Sequence, residues 1–416
     1  MKKKLSVLLI LFLGLTFYSH GQSTDSDPKF GITWGGFVKV DYMFDSRQTV
    51  TAREGHFLLF PAAENNVNGE DLNAQANFNI LAVQTRLTGK ITGPDFFGMK
   101  TSGVIEGAFF GHSDSDINGF RLRHAFVKLS NDNLDIIMGQ YWHPMFVTDV
   151  FPGTYSFNTG VPFQPFSRNP QLRISTKGNV RFTGVMFSER DFASRGPGEI
   201  DPITLKRPQL ISSKFVRDAG MPQLHAQLQF GGKEFLGGFG ANLKAMRPVL
   251  GADNITNTAF IGYMKTKLGN ATFKLEGIYG ENMTDLLSIG GIAEDTSGGY
   301  TSNKTFSVWG ELSGGKDNIE WGLFSGYTKN DGFKDAIAVD ANGKPIGLYG
   351  LGPTIANAFR VAPRLGWKSG KMKIGIEVEY TSALYGKLAA NKMDIDTQGI
   401  DAVSNVRGLV TAVYGF

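Results

Sequence analysis

Cysteine is absent from all 416 residues. That excludes disulfides, thiolate metal sites and a lipid-anchored precursor, which needs a cysteine to carry its acyl chains. Histidine is scarce, with six in the chain, and His112, His143 and His225 have no metal-ligand spacing. There is no Gly-x-Ser-x-Gly, no phosphate-cradling glycine loop and no paired-carboxylate signature. Asp114-x-Asp116-x-Asn118-Gly119 resembles the start of a calcium loop, but the twelfth position is Ala125, which has no carboxylate to offer. It reads as a hairpin loop instead. No metal and no cofactor are expected, and no enzyme chemistry stands out. Long apolar runs are also missing, with one exception at the start. Lys2, Lys3 and Lys4, then the apolar stretch Leu5–Tyr18, then Ser19 and Gly21 form a three-part export signal. The stretch is shorter than the ~20 residues of a spanning helix. Excess charge of one sign is missing too. Removing residues 1–21 takes three lysines from the 42 basic residues, leaving 39 against 38 acidic. A near-neutral chain gives no electrostatic case for a nucleic-acid partner.

Glycine and aromatics are abundant instead. There are 53 glycines, well above the usual share of about 7%, and 33 phenylalanines. This composition suits strands and turns. Apolar and polar residues alternate with period two in segment after segment. Val38, Val40, Tyr42 and Phe44 alternate with Lys39 and Asp41, and Ile374, Ile376, Val378 and Tyr380 with Lys373, Glu377 and Glu379. Such strands separate an apolar medium from a wet one. Sixteen candidates follow: 32–44, 78–92, 99–111, 119–129, 133–143, 170–177, 179–189, 222–231, 235–246, 258–268, 270–281, 304–314, 318–329, 358–368, 371–385 and 405–416. Their connectors alternate strictly between short and long, which puts every short turn on one rim. That asymmetry belongs to outer-membrane barrels. Open sheet edges are excluded from hydrocarbon, so the sheet must close. The expected fold is all-β, a transmembrane antiparallel β-barrel of about sixteen strands with long extracellular loops and short periplasmic turns. Residues 1–21 are the signal peptide, 22–30 a short periplasmic lead-in and 31–416 the barrel. Sixteen strands leave an aqueous lumen, so the count implies a pore. Trp309, Trp321, Trp367, Tyr327, Tyr380 and Tyr414 are expected in interfacial girdles.

The candidate selectivity residues lie in the first half of the chain. Residues 142–169 form an unusually aromatic connector carrying Trp142, Phe146, Phe151, Tyr155, Phe157, Phe163 and Phe166. A loop this apolar is expected to fold into the lumen and narrow it. Around it stand Arg86, Arg121, Arg123, Arg168, Arg173 and Arg181. An arginine on the lipid face costs about 2–4 kcal/mol at the midplane, so these are expected to line the lumen and favour anions. Glu106, Asp135 and Glu189 are candidate counter-charges. Glu276, Glu311, Glu377 and Glu379 read as lumen lining.

The carboxy-terminal segment, Asn405 to Phe416, has one continuous apolar face and ends on an aromatic. It resembles the last strand of Gram-negative outer-membrane barrels, which the barrel-assembly machinery reads. Three stretches carry a closer resemblance, to the DcaP-like porins. They are Gly36-Phe37-Val38-Lys39-Val40-Asp41-Tyr42-Met43-Phe44-Asp45-Ser46, Arg121-Leu122-Arg123-His124-Ala125-Phe126-Val127-Lys128-Leu129 with Met138-Gly139-Gln140-Tyr141-Trp142 close behind, and Arg168-Asn169-Pro170-Gln171-Leu172-Arg173. After about residue 190 the likeness becomes general barrel character. The resemblance implies a sixteen-stranded homotrimer in the outer membrane, taking up small, often anionic solutes. A periplasmic coiled coil found in some members has no counterpart in residues 22–30. The expected function is thus passive diffusion of small hydrophilic solutes with anion preference, with outer-membrane lipid, the solutes and the assembly machinery (through Phe416) as partners. The alternatives are a structural or partner-docking barrel plugged by its aromatic loop, and a barrel enzyme of the envelope.

Overall fold

The computed structural model describes residues 30–111 and 113–416. The expected signal peptide and nearly all of the lead-in lie outside the described residues. Sixteen wall strands close into an antiparallel barrel. In chain order these are β1 (Gly31–Asp45), β2 (Asn77–Leu81 continued by Arg86–Thr92), β3 (Lys100–Ala108), β4 (Arg121–Ser130), β5 (Leu134–Trp142), β6 (Arg168–Thr176), β7 (Val180–Phe187) and β8 (Gln223–Gly231). The second half holds β9 (Phe235–Met246), β10 (Ile255–Leu268), β11 (Ala271–Glu281), β12 (Tyr300–Lys316), β13 (Ile319–Phe333), β14 (Ile355–Ser369), β15 (Met372–Tyr385) and β16 (Val403–Gly415). Each predicted strand matches one of these within a few residues. β1 pairs with β2 on one side and with β16 on the other, from Phe37 opposite Gly415 to Asp45 opposite Arg407. That last seam removes the free edges, which hydrocarbon would not tolerate.

Alternation does what the sequence pattern requires. In β1, Val38, Tyr42 and Phe44 face outward, while Lys39, Asp41 and Asp45 are buried inside. In β15, Ile374, Ile376, Val378 and Tyr380 face outward, with Glu377 and Glu379 buried. Trp34, Trp321, Trp367 and Tyr414 stand on the outer surface near the short-turn rim, and Tyr42, Tyr279, Tyr327 and Tyr380 toward the long-loop rim. Trp309 corrects the girdle expectation. It is 1% exposed, points into the lumen, stacks on Phe324 and donates its indole N–H to Glu276. Its neighbours Val308 and Gly310 occupy the other phase of β12, so a tryptophan alone does not reveal the side it takes. No helix among the described residues is long and apolar enough to cross a membrane.

The second strand departs from its predicted continuity. Phe37 opposes Arg86 and Asp41 opposes Leu81, so three residues of β1 face the four residues Ala82–Thr85. The extra residue makes a bulge. It turns Val83 inward, and the Thr85 hydroxyl accepts from the Lys39 amide at 3.2 Å.

The long loops build a cap over one rim. The hairpin Arg195–Pro197 with Gln209–Ile211 and the helix Lys214–Asp218 lie in loop 4 (residues 188–222). The strand Gly290–Glu294 of loop 6 (residues 282–299) pairs with Leu348–Leu351 of loop 7 (residues 334–354). Loop 4 is pinned by Glu189, which accepts from the Ser194 amide at 2.8 Å, the Ser194 hydroxyl at 2.7 Å and the Gln223 amide at 3.1 Å. Lys244 ties loop 6 in by donating to Asp285 and to the Asn282 carbonyl, each at 2.6 Å. Burial, then the nearby Asp285 carboxylate, pushes Glu189 up to about 8. The folded state therefore holds a proton that the unfolded chain releases at the ordinary carboxylate pKa. Its stabilising share is complete at acid pH and declines as pH rises toward 8. Tryptic cleavage within loop 4 is expected to be faster at pH 9 than at pH 6, and Glu189→Gln is expected to abolish that difference. Equal cleavage at both pH values in the wild-type protein would contradict it.

Candidate permeation site

Loop 3 (residues 143–167) leaves the wall after Trp142, which is the last residue of β5 rather than part of the loop. The loop crosses the lumen to the opposite wall. Its aromatic and apolar residues drive this, since the interior offers the cover that open water does not. Phe146, Tyr155, Phe157, Phe163 and Phe166 are buried, while Phe151 is 39% exposed. The Trp142 and Phe146 rings stack at 3.9 Å, and Phe166 packs edge-on to both.

The far wall receives the loop with carboxylates. Glu377 accepts from the Tyr155 amide at 2.7 Å and the Ser156 amide at 3.0 Å. Glu379 accepts from the Asn158 side chain at 2.6 Å, and Glu311 from the Gly153 amide at 2.6 Å. The Tyr155 hydroxyl donates to Glu320 at 2.6 Å. Burial, then Glu320, pushes that phenol well above its ordinary value, so it remains the donor. Cations bind the loop carbonyls: Lys39 at Tyr155, Lys265 at Asp149 and Lys274 at Phe151, at 2.7–2.9 Å. Charge-assisted bonds of this kind are about twice as strong as neutral ones. Gly366 and Gly375 leave the space that the Tyr155 ring fills, for a β-carbon at either would clash with it.

Loop 1 (residues 46–76) also folds inward, which alternation gave no reason to expect. Phe57, Leu58, Leu59 and Phe60 are all buried. The Phe57 ring meets Phe157, Phe166 and Phe192 at 4.8–5.5 Å. His56 lies 3.1 Å from Asp41. Burial lowers its pKa against the opposing pull of that carboxylate. Arg360, 0% exposed, straps both loops: it donates to Val161 of loop 3 at 2.8 Å, to Leu58 and Leu59 of loop 1 at 2.9 and 3.2 Å, and to Thr381 of the wall at 2.8 Å.

The six predicted arginines separate into two groups. Arg86, Arg121, Arg123 and Arg168 gather beside loop 3, and Arg53 of loop 1 joins them. Glu106 takes Arg123 at 2.8 Å and Arg86 at 3.5 Å. Asp191 of loop 4 takes Arg168 at 2.6 Å, contacts Arg121 and lies 3.9 Å from Arg53. Aromatic faces support the guanidiniums: Arg168 sits 5.0 Å from the Trp142 ring and Arg123 5.8 Å from Phe157. Arg173 and Arg181 lie elsewhere, lining a cavity of about 460 Å³ toward the short-turn rim. Arg173 donates to the Trp142 carbonyl at 2.8 Å, and Arg181 faces Asp149 at 3.5 Å. Of the candidate counter-charges, Glu106 alone meets this arginine group. Asp135 pairs with Lys128 and Lys177 at 2.9 and 3.3 Å, and Glu189 serves loop 4.

The first group stands at a neck. An outer vestibule of about 810 Å³ is lined by Arg53, Arg190, Asp191, Phe192, Ser212 and Ser213, among others. On the other side of loop 3, a cavity of about 500 Å³ is lined by Lys39, Arg86, Arg123, Tyr155 and Phe157, among others. A narrow space of about 10 Å³ shares Arg53 with the vestibule and Arg123 and Phe157 with the inner cavity, and is also bounded by Arg121, Arg168, Phe57 and Phe110. That is near the volume needed for one water. Sequence reasoning missed Arg53 and Asp191, which lie in loops remote from the other members. The run Phe57-Leu58-Leu59-Phe60-Pro61 was the available signal for loop 1, being apolar without alternation.

Comparison with solved structures places this architecture. The outer membrane channel DcaP of Acinetobacter baumannii superposes with a TM-score of 0.69 at 15% identity, over 93% of this chain and 97% of that one. The fold is a porin fold. An anion-selective porin from Comamonas acidovorans gives 0.55 at 10% identity, over 93% of this chain and 100% of that one. OmpT of Vibrio cholerae, in a trimer form, gives 0.52 at 10% identity, over 94% and 100%. No family model matches the sequence, and no curated protein matches it. The porin fold is thus recognised through backbone geometry at 10–15% sequence identity.

Proposed function

We propose that the protein is an outer-membrane porin, a passive diffusion channel for small hydrophilic solutes that prefers anions. The observation that carries this reading is the neck, where the guanidiniums of Arg86, Arg121, Arg123 and Arg168 share the carboxylates of Glu106 and Asp191. Four guanidiniums on two carboxylates are an excess of positive charge. In a low-dielectric wall such a field raises the local anion concentration. The apolar outer face and closed sheet support a bilayer location, and the solved outer-membrane barrels of similar fold support the outer membrane of a Gram-negative bacterium. A trimer is the assembly we infer by analogy with the trimer form of the Vibrio barrel. Phe416 is its address for barrel assembly.

Purified protein in planar bilayers is expected to give ohmic steps and a reversal potential displaced toward the chloride equilibrium. Arg121→Ala with Arg123→Ala is expected to bring that potential close to zero while leaving the barrel folded. Anion preference unchanged in the double variant would remove these arginines from the selectivity site. A second reading, a plugged barrel that docks a partner, draws on the one-water neck, and folded protein without conductance would favour it.

A further inference from the structure

We infer that Asp191 is a resident counter-anion: a carboxylate tethered on loop 4 that occupies the anion site of the neck and must exchange with each anion that passes. This rests on the permeation reading above and deepens it. Asp191 lies at the start of loop 4, just past the end of β7, and its backbone amide donates to the Arg168 carbonyl at 3.3 Å. Arg168 donates to its Oδ2 through Nε at 2.8 Å, and a terminal nitrogen lies 2.6 Å from the same oxygen. Arg121 donates to the same carboxylate, and also to the Asp191 backbone carbonyl at 3.2 Å. Arg53 completes the group at 3.9 Å. Three guanidiniums from β4, β6 and loop 1 therefore converge on a carboxylate that belongs to none of those elements.

The position is a site built for a carboxylate, because guanidinium forks match its two oxygens. Asp191 is 1% exposed at its side chain, lines the vestibule, and contacts Arg53, Arg121 and Arg168, which bound the narrow space. A solute anion reaching that space meets arginines that are already taken. It gains them only by displacing Asp191. A carboxylate tethered on a short segment competes at an effective concentration of roughly millimolar or above. Dilute anions are then held weakly, which keeps passage fast. A site of free guanidiniums would hold the same anions longer and slow their exit, since conduction requires binding weak enough to leave. Glu106 does not share this role. It is fixed on the wall strand β3, between Arg86 and Arg123, and has no loop to carry it away.

Acetate, the free equivalent of the Asp191 side chain, is the probe. Chloride current through wild-type protein and through Asp191→Asn is recorded in planar bilayers as acetate is added. Asparagine keeps the shape and removes the charge. The expected result is a reversal potential moved further toward the chloride equilibrium and a half-blocking acetate concentration lowered about tenfold. Unchanged potential with unchanged acetate block, in a variant whose folding is confirmed by heat-modifiable gel migration, overturns the inference. Asp191→Ser gives the same reading should the asparagine variant misfold. A purely structural role for Asp191 would alter loop 4 cleavage and leave acetate block where it was. Wild-type protein that prefers cations sinks the permeation reading alone, and the acetate comparison still decides the role of Asp191. With no current at all, broadening of the acetate carbon resonance by folded protein in detergent makes the same comparison.

Discussion

Arg360→Ala is expected to release both inward loops at once and to raise single-channel conductance several-fold. Arg360 is the only side chain described here that donates to loop 1 and loop 3 together, through Leu58, Leu59 and Val161. Its removal strips three buried carbonyls of a charged donor. It also leaves Glu379, whose carboxylate faces Arg360, without that positive neighbour. Taking one partner from a buried charged network costs about 3–5 kcal/mol. The wall itself should survive, because β14 keeps its backbone pairing to β13 and β15. The loss therefore falls on the loops. Limited proteolysis within residues 46–76 and 143–167, beside conductance, separates this from global unfolding. Conductance and protease resistance equal to wild type would show that the aromatic packing of Phe57 on Phe157 and Phe166 holds the loops unaided.

Replacing residues 153–161 by a short Gly-Ser linker is the second large effect. This segment makes the contacts with Glu311, Glu377, Glu379, Glu320 and Arg360, so its loss frees the crossing. It also removes Phe157, which bounds the neck. Conductance is expected to rise several-fold and anion preference to weaken, most clearly in concentrated salt. Arg86, Arg121, Arg123 and Arg168 stay on the wall, but a wider passage lets ions travel farther from them. At 0.1 M salt their influence fades over about 10 Å. Single-channel recording at two salt concentrations provides the check. Unchanged conductance would mean that loop 1 alone sets the passage.

How far the site was readable depends on where each residue sits. Arg121 and Arg123 are two apart on one strand, with outward Leu122 between them, so period two alone put both on the inner face. Glu377 and Glu379 were placed inside by the same rule. The rule names a side, not a partner. It gave no sign that these two carboxylates would accept the amides of Tyr155 and Ser156 and the side chain of Asn158, some 220 residues away in the chain. Trp309 shows the limit from the other direction, because an aromatic taken for a girdle residue follows the phase of its strand. The bulge at Ala82–Thr85 was hidden for a related reason: one extra residue is visible only against the partner strand.

By itself the sequence determined the sixteen strands, the face taken by most of their charged side chains and the segregation of turns and loops to opposite rims. These follow from local rules, namely period two, turn chemistry and the exclusion of unpaired backbone from hydrocarbon. Tertiary structure decided which loops enter the lumen, how the six arginines divide between two cavities, and that Arg53 and Asp191 complete the neck. Loop backbone has no period to betray its direction. Its course is set by distant carboxylates and by Arg360, which only the closed barrel brings within reach.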